Sequence, residues 1–562
     1  MVYGSRIRHS PNYLTLCSTL HKMHWSTFVF SALLTYGQLS LSATAPNNST
    51  FLNPVIPGWH SDPSCIFVSE EDNTFFCATS SFLATPGIPI HASKDLVNWK
   101  LVSHVVNRPE QIPYYNQSVN QHDGVFAPTL RYYDGVFYVI TVYVFQGPIL
   151  SGSNGLVFKT TDPYDDDAWS VPVNFTAPAI DPDLFWDTDG SVYVSQANPI
   201  TQMKIDLETG ATTKPYIIWN GTGGVWPEGP HLYKKDGYYY LLIAEGGTAT
   251  DHSVRIARSG NVTGPYESDP NNPILTAQNT TEYFQTVGHA DLFQDPSGNW
   301  WGMALATRSG PEWTNFPMGR ETILTPVTWK EGQWPIMDRV HGRMSGWPLP
   351  PQTRDLPGEG VFAGDPDVID FEPGSNLPKN IVFWRWPSAD SFAVSPAGHA
   401  NTLRLRATGE LSAPENINVS YAAGNPGANG ISLITRLQTD TLFTYSVDVD
   451  FKPTTENEEV GVTVFLTQPQ HLDLGIVRLN NATQLRFRTT GQGNWNQNRT
   501  LENVVPIPAG WSKYPVSLQI QAKNDTHYTF YAASSRDRRN RMAVGVAPTT
   551  VVSNGPGQFM GR

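Results

Sequence analysis

Three carboxylates stand at the same place in a phrase that recurs along the chain. Its five copies are Asp62-Pro-Ser-Cys-Ile-Phe-Val, Ala127-Pro-Thr-Leu-Arg-Tyr-Tyr, Asp181-Pro-Asp-Leu-Phe-Trp-Asp, Glu228-Gly-Pro-His-Leu-Tyr-Lys and His289-Ala-Asp-Leu-Phe-Gln-Asp. Asp62, Asp181 and Glu228 thus place acids at equivalent positions, and His289 places a titratable ring at another. Carboxyl groups gathered from separate segments can divide acid–base work, one accepting a proton while another gives one. A single Asp-Pro reads most simply as a turn or cap. Recurrence at matched positions argues for an active site instead.

The elements that must position these residues follow from the same copies. Each phrase runs into a turn: Glu70–Asn73, Asp134-Gly135, Asp189-Gly190, Asp236-Gly237 and Ser297-Gly298. An aromatic-rich strand follows each turn, as in Val136-Phe-Tyr-Val-Ile and Tyr238-Tyr-Tyr-Leu-Leu. Strand, turn and strand make a β-hairpin. Hairpins repeating every roughly 45 to 65 residues predict radial repetition, a five-bladed β-propeller. Asp62, Ala127, Asp181, Glu228 and His289 would then ring one mouth of its axis.

The chain has 562 residues, too many for one core, so two domains are expected. A formal net charge of −13 argues against nucleic acid or an anionic membrane as partner and suits a neutral substrate such as a sugar. Residues 1–45 read as a leader and signal peptide, with the apolar stretch Phe28 to Leu34 and small residues at Ala43-Thr-Ala45. The segment is too short to span a bilayer as a helix. The protein is therefore expected to be secreted and extracellular. Asn-x-Ser/Thr sequons at Asn48, Asn116, Asn174, Asn220, Asn261, Asn279, Asn418, Asn481, Asn498 and Asn524 suggest surface glycosylation. Cys65 and Cys77 sit symmetrically about the first turn. An antiparallel register sets them opposite each other, and a secreted context favours a disulfide over two buried thiols.

The propeller is expected over residues 50–345. Trp347-Pro-Leu-Pro-Pro351 opens a Gly/Pro/Asp-rich linker or strap, assigned to 346–372. Residues 373–562 carry alternating segments, among them Tyr445–Phe451, Val460–Phe465, Leu474–Leu479, Gln484–Thr489 and Val516–Ala522. Period-two alternation between turns predicts a β-sandwich. The whole chain is thus read as all-β. No group of acids or histidines in the sandwich is spaced for chemistry, which suggests a structural or binding role.

Ordered motifs then carry a resemblance. Asn53-Pro-Val-Ile-Pro-Gly-Trp-His-Ser-Asp-Pro-Ser64, Phe126-Ala-Pro-Thr-Leu-Arg131, Trp226-Pro-Glu-Gly-Pro230, Ala244-Glu-Gly-Gly-Thr248 and Met318-Gly-Arg-Glu-Thr322 resemble glycoside hydrolase family 43. Leu433–Gln438 and Asp448–Pro453 resemble the concanavalin A-like sandwich of its β-xylosidase and α-L-arabinofuranosidase branch. The resemblance covers nearly the whole mature chain. It implies an inverting propeller enzyme with Asp62 as general base, Glu228 as general acid and Asp181 as the residue that tunes the acid. Inversion needs opposed carboxyl groups roughly 6.5–9.5 Å apart. A third carboxylate beside the acid would raise its pKa by repulsion.

The same resemblance makes Arg320 a contact for sugar hydroxyls, the alternative being a salt bridge with Glu321. It places His289 near the propeller axis, where such a histidine can hold a calcium ion or water; a structural hydrogen bond is the alternative. No cofactor is expected to be required. Phe82 and Phe126 could pack on a sugar face or on the core. Related sandwiches continue past a segment like Gly555–Gly561 into another strand, so the expectation is that either the gene sequence is cut short at Arg562 or the last strand is absent. These readings converge on an exo-acting hydrolase releasing L-arabinofuranose or D-xylose from plant arabinoxylan. An arabinan- or galactan-directed hydrolase is the near alternative. A non-catalytic carbohydrate-binding propeller, or lectin, is the alternative of another class. The partner in each case is a plant cell-wall polysaccharide or oligosaccharide.

Overall fold

The computed structural model describes residues 49–553, apart from 119, 147–150, 389, 407–410, 412–430 and 492–500, together with residue 561 and the backbone of residues 2–3 and 5–6. All but those four residues of the expected leader lie outside the described residues, as do Asn48, Asn418, Asn498 and most of the 555–561 segment.

Five antiparallel sheets follow one another between residues 64 and 337. Each opens with a strand that carries or directly follows one copy of the repeated phrase. These strands are β1 (Ser64–Val68), β2 (Gly124–Tyr133), β3 (Asp183–Trp186), β4 (Glu228–Lys235) and β5 (Phe284–Gln294). Within each sheet the remaining strands step away from the opening strand in chain order, except that Leu275–Thr276 of the fourth sheet pairs back on Ser253–Ser259. The opening strands neighbour one another in succession, and β5 returns to β1, so the five close a ring. Thr50–Leu52 pairs with Arg343–Ser345 and ties the two ends of this region together.

Local sequence explains the hairpins. Asp134 and Gly135 have φ of 50° and 79°, and Asp236 and Gly237 have 51° and 79°. Positive φ at both central residues is the two-residue turn whose twist matches paired strands, and Asp-Gly adopts it at little cost. The strands leaving these turns are buried on both faces for much of their length, as Tyr239–Glu245 shows. Cys65 pairs with Cys77 across the first hairpin, and the two are joined as a disulfide with Cα atoms 4.2 Å apart.

Residues 361–363 lie against the first sheet. The N–H of Leu101 donates to Val361 O at 3.0 Å, and that of Ala363 donates to Trp99 O at 2.7 Å. Gly360 permits this approach, because a Cβ there would stand 1.7 Å from Leu101 O.

The carboxy-terminal region packs two antiparallel sheets face to face. One contains Phe443–Val449, Val516–Ala522, His527–Ser534 and Met542–Pro548; the other contains Glu459–Thr467, Gln470–Leu479, Ala482–Thr490 and Glu502–Pro506. Val462, Val464, Leu472, Leu474, Leu485 and Phe487 meet Val447, Leu518, Ile520 and Phe530 in a buried core. Alternation in each strand supplies these residues to one face.

The sandwich docks on the first two sheets. Phe383 and Trp384 pair with Thr85 and Ala84. Arg385 donates its N–H to Leu83 O at 2.8 Å. Asn116 is spent on this contact, its amide bonding both the O and the N–H of Trp386. It therefore differs from the exposed sequon residues Asn174, Asn220, Asn261, Asn279, Asn481 and Asn524.

Candidate active site

The repeated phrase holds an unusual backbone. Asp62, Ala127, Asp181 and His289 have φ of 52°, 32°, 54° and 48°. At the fourth copy the left-handed residue is Gly229, with φ of 57°, directly after Glu228. Left-handed backbone is costly for residues with a Cβ and gathers at functional sites. The pairing of β2, β4 and β5 with their neighbours also slips beside these residues. Such bulges re-aim side chains out of the regular alternation.

Asp62 is buried and held on both oxygens. Its Oδ2 accepts from Ser80 Oγ at 2.6 Å and Ser61 Oγ at 2.9 Å; its Oδ1 accepts from Arg320 Nη1 at 3.0 Å. Ser80 Oγ in turn accepts the N–H of Ala127 at 2.7 Å. The ring position held by Ala127 thus orients the serine that orients Asp62. Burial alone would raise the Asp62 pKa, but Arg320, His289 and the two serines outweigh it, and the carboxyl sits below its ordinary range. Asp62 is therefore ionised near neutral pH.

Asp181 and Glu228 move the other way. Burial and then the Asp62 charge push Asp181 up to about 7, against the N–H of Gly229, which donates to its Oδ2 at 3.1 Å. Burial, then Asp181 and then Asp62, push Glu228 well above the carboxylate range, while Arg320 pulls weakly against them. The three carboxyls brought together by β1, β3 and β4 therefore split into one held charged and two held towards the neutral form.

Arg320 faces Asp62 and not its chain neighbour. Glu321 is taken by Arg308, at 2.6 Å and 2.8 Å. The Arg320 guanidinium carbon also lies 5.7 Å over the Phe82 ring. Phe82 is buried and stands 4.3 Å from Phe126 between ring centres, so the two aromatics form one wall beside Arg320. Phe126 is partly exposed.

His289 is buried with Nδ1 3.5 Å from Asp62 Oδ1. Burial lowers its pKa to about 4, with Asp62 opposing, so the ring is neutral near pH 7. Its other edge packs on Gly229, where a Cβ would stand 2.8 Å from Nε2. Calcium takes six to eight oxygen ligands. Here the one carboxylate beside His289 is already bonded to Arg320 and two serines. Among the described residues no group of three or more His, Cys, Asp or Glu is arranged to hold a metal ion. The neutral ring packs against the site between Asp62 and Gly229.

A second layer lies under the trio, and the sequence reading missed it. Arg131 Nη1 donates to Asp291 Oδ2 at 2.8 Å, and its Nη2 reaches Asp183 Oδ1. Ser64 Oγ and Tyr233 OH also donate to Asp291, at 2.7 Å and 2.6 Å, and the N–H of Leu232 donates to Asp183 Oδ2 at 2.9 Å. Ser64, Asp183 and Asp291 each lie two positions after Asp62, Asp181 and His289. That offset was the signal available in the repeat.

Residues 51–335 match the profile of Glycosyl hydrolases family 43, and residues 368–562 match that of the beta xylosidase C-terminal concanavalin A-like domain. The chain belongs to glycoside hydrolase family 43. This family 43 protein is 35% identical to a xylosidase/arabinosidase of Butyrivibrio fibrisolvens, across 77% of its own chain and 81% of the relative. It is also 35% identical to a non-reducing end alpha-L-arabinofuranosidase of Bacteroides ovatus, across 78% of each. Its fold is similar to that of a xylan beta-1,4-xylosidase from Bacillus halodurans, with a TM-score of 0.76, 27% identity and coverage of 89% of this chain and 92% of the other. The second family match begins at residue 368, inside the stretch 346–372 expected as a linker.

Proposed function

We propose that this family 43 protein is an exo-acting, inverting hydrolase that releases L-arabinofuranose or D-xylose from plant xylan or arabinoxylan. Asp62 is the general base, Glu228 the general acid, and Asp181 the group that keeps the acid protonated. One observation carries this reading. Three carboxyls in one cluster, Asp62 and Asp181 buried and Glu228 partly buried, are pushed in opposite directions, Asp62 below its ordinary range and Glu228 well above it. Neighbouring carboxyls with diverging pKa values are the mark of a base and an acid sharing a reaction. A lectin gains nothing from this arrangement, because burying mutually repelling acids weakens a binding site.

In the ground state Asp62 accepts three hydrogen bonds, which fix the direction of its lone pairs toward a water. Glu228 faces the glycosidic oxygen and gives its proton as the bond breaks. Arg320 reaches the sugar hydroxyls from beside Asp62, and the Phe82–Phe126 wall packs on the ring. His289 stays neutral and holds the Asp62 side of the site in place. This chemistry calls for no cofactor, and chelation with EDTA is expected to leave activity unchanged.

The five consecutive sheets with a closed ring of opening strands support a five-bladed propeller over residues 50–345, with a strap over 346–372 and the sandwich over 373–562. The Cys65–Cys77 disulfide and the exposed sequons support secretion and glycosylation after removal of residues 1–45.

The test is sugar analysis of an arabinoxylan digest, with proton NMR of the earliest product. Free arabinose or xylose with inverted anomeric configuration is expected. Asp62→Asn should abolish turnover on every substrate with the fold intact by circular dichroism, since water must be activated whatever the leaving group. Retained configuration, or more than a few percent of activity in that variant, overturns the assignment.

A further inference from the structure

We infer that Trp226 is the platform on which the leaving sugar stacks, a binding position for the pyranose ring on the aglycone side of the cleaved bond. The inference rests on the reading of Glu228 as the acid.

The fold gives no reason for a tryptophan at this position. Its φ is 52°, a left-handed backbone that favours Gly or Asn and is an outlier for a bulky residue. The residue is 59% exposed, so it buries little apolar area in return. A residue that folding disfavours twice is a candidate for binding, since strained backbone persists mainly at ligand sites.

Its place decides what it binds. Only Pro227 separates Trp226 from Glu228. A general acid must stand beside the oxygen of the leaving group, so the surface next to it borders the leaving sugar and not the pentose held in the site. Aromatic faces complement the C–H-lined face of a pyranose.

The loop that presents the ring is built, not loose. The buried carboxylate of Glu245 accepts the N–H of Thr222 at 2.8 Å, accepts the Thr222 hydroxyl, and pairs with Arg255 Nε at 2.6 Å. Gly221 and Gly224 lie so close over Glu245 that a Cβ would stand 2.2 Å and 2.9 Å from it. The N–H of Gly246 donates to Val225 O at 2.8 Å, one residue before the tryptophan. The loop is thereby fastened to the strand that pairs with Glu228.

The experiment compares two substrates with the same pentose and different leaving groups. A pentosyl fluoride has no sugar to stack, whereas an arabinoxylo- or xylo-oligosaccharide does. Trp226→Asn removes the ring and suits the left-handed backbone, so its thermal midpoint should equal or exceed that of the parent. Its kcat/KM on the oligosaccharide is expected to fall about tenfold, the scale of one lost ring stack. On the fluoride it should stay within about twofold of the parent, since that contact is never made there. Trp226→Phe should recover most of the loss. An equal fall on both substrates, or no fall on the oligosaccharide, overturns the platform. If the unmodified enzyme cleaves neither substrate, the pentosidase reading itself fails, which is a separate result.

Discussion

The N–H of Gly229 donates to Asp181 Oδ2 at 3.1 Å, so the residue that follows Glu228 is fastened to the carboxylate that repels Glu228. The hydrogen bond fixes the distance over which that repulsion acts. Gly229 is also the left-handed residue at this copy of the repeat and leaves no room for a side chain against His289. One backbone group therefore couples the acid, its modulator and the packing of the ring.

Removing the acid should sort substrates by leaving group. Glu228→Gln is expected to lose most activity on arabinoxylan, whose departing alkoxide needs a proton. Aryl pentosides that release a good leaving group should lose much less. Parallel rate measurements on the two substrate types decide the matter. Equal losses would mean that Glu228 is not the acid.

Asp181 should control the alkaline limb of the pH profile. Glu228 is raised first by burial and then by Asp181. Asp181→Asn removes that second cause, so Glu228 ionises at lower pH and the alkaline limb of kcat/KM should move toward acid. Asp181 is itself pushed up to about 7 by burial and the Asp62 charge, so the parent enzyme titrates as a coupled pair whose apparent values belong to both groups. The profile is measured on an aryl pentoside. A limb that stays in place would show that burial alone holds the acid protonated.

The ring positions and the sandwich strands were legible in the sequence because both rest on local pattern. The five phrases announce β1 to β5, and the segment expected over Val516–Ala522 spans the observed strand Val516–Ala522. The surroundings of Asp62 were not legible. Ser80 reaches Asp62 across the first hairpin, where its N–H donates to Ser61 O, but Arg320 comes from a position 258 residues away and only closure of the ring brings it there. Gln468 and Gln121, 347 residues apart, meet through docking of two domains, and no periodicity encodes such a contact.

Acid stability should depend on a buried histidine group beside the site. His60 and His91 touch edge to face at 4.7 Å between ring centres. Burial lowers His60 to about 3 and His104 to about 4, and holds His91 well below its ordinary value. The unfolded chain, with histidine near 6.5, binds protons first as pH falls. The stability these groups contribute is complete above about pH 6.5 and is lost as pH drops toward their folded values. Asp181 and Glu228, raised in the fold, contribute with the opposite sign, so the difference between variant and parent is the quantity to read. His91→Phe should flatten the acid side of a plot of thermal midpoint against pH. An unchanged slope would remove His91 from the account.

The sandwich should stabilise the site without supplying its chemistry. Asp62, Asp181, Glu228 and Arg320 all come from the first region of the chain, yet the loop before β2 is clasped by the second. Gln121 Nε2 donates to Gln468 Oε1 at 3.1 Å, the N–H of Gln468 donates back to Gln121 Oε1 at 3.0 Å, and Arg385 Nη2 reaches the same Gln468 oxygen at 3.0 Å. That loop leads into Val125, which pairs with Phe82, and then into Phe126. A chain ending near Pro351 keeps the carboxyls but exposes the apolar surface around Ala84 that met Trp384, and a lower thermal midpoint is expected. Activity on small aryl pentosides, measured on the folded fraction, should fall less than stability does. Gln468→Ala in the full chain should act through the Phe82–Phe126 wall, raising KM more than it lowers kcat. A well-folded shortened chain with no activity at all on those substrates would place part of the chemistry in the sandwich.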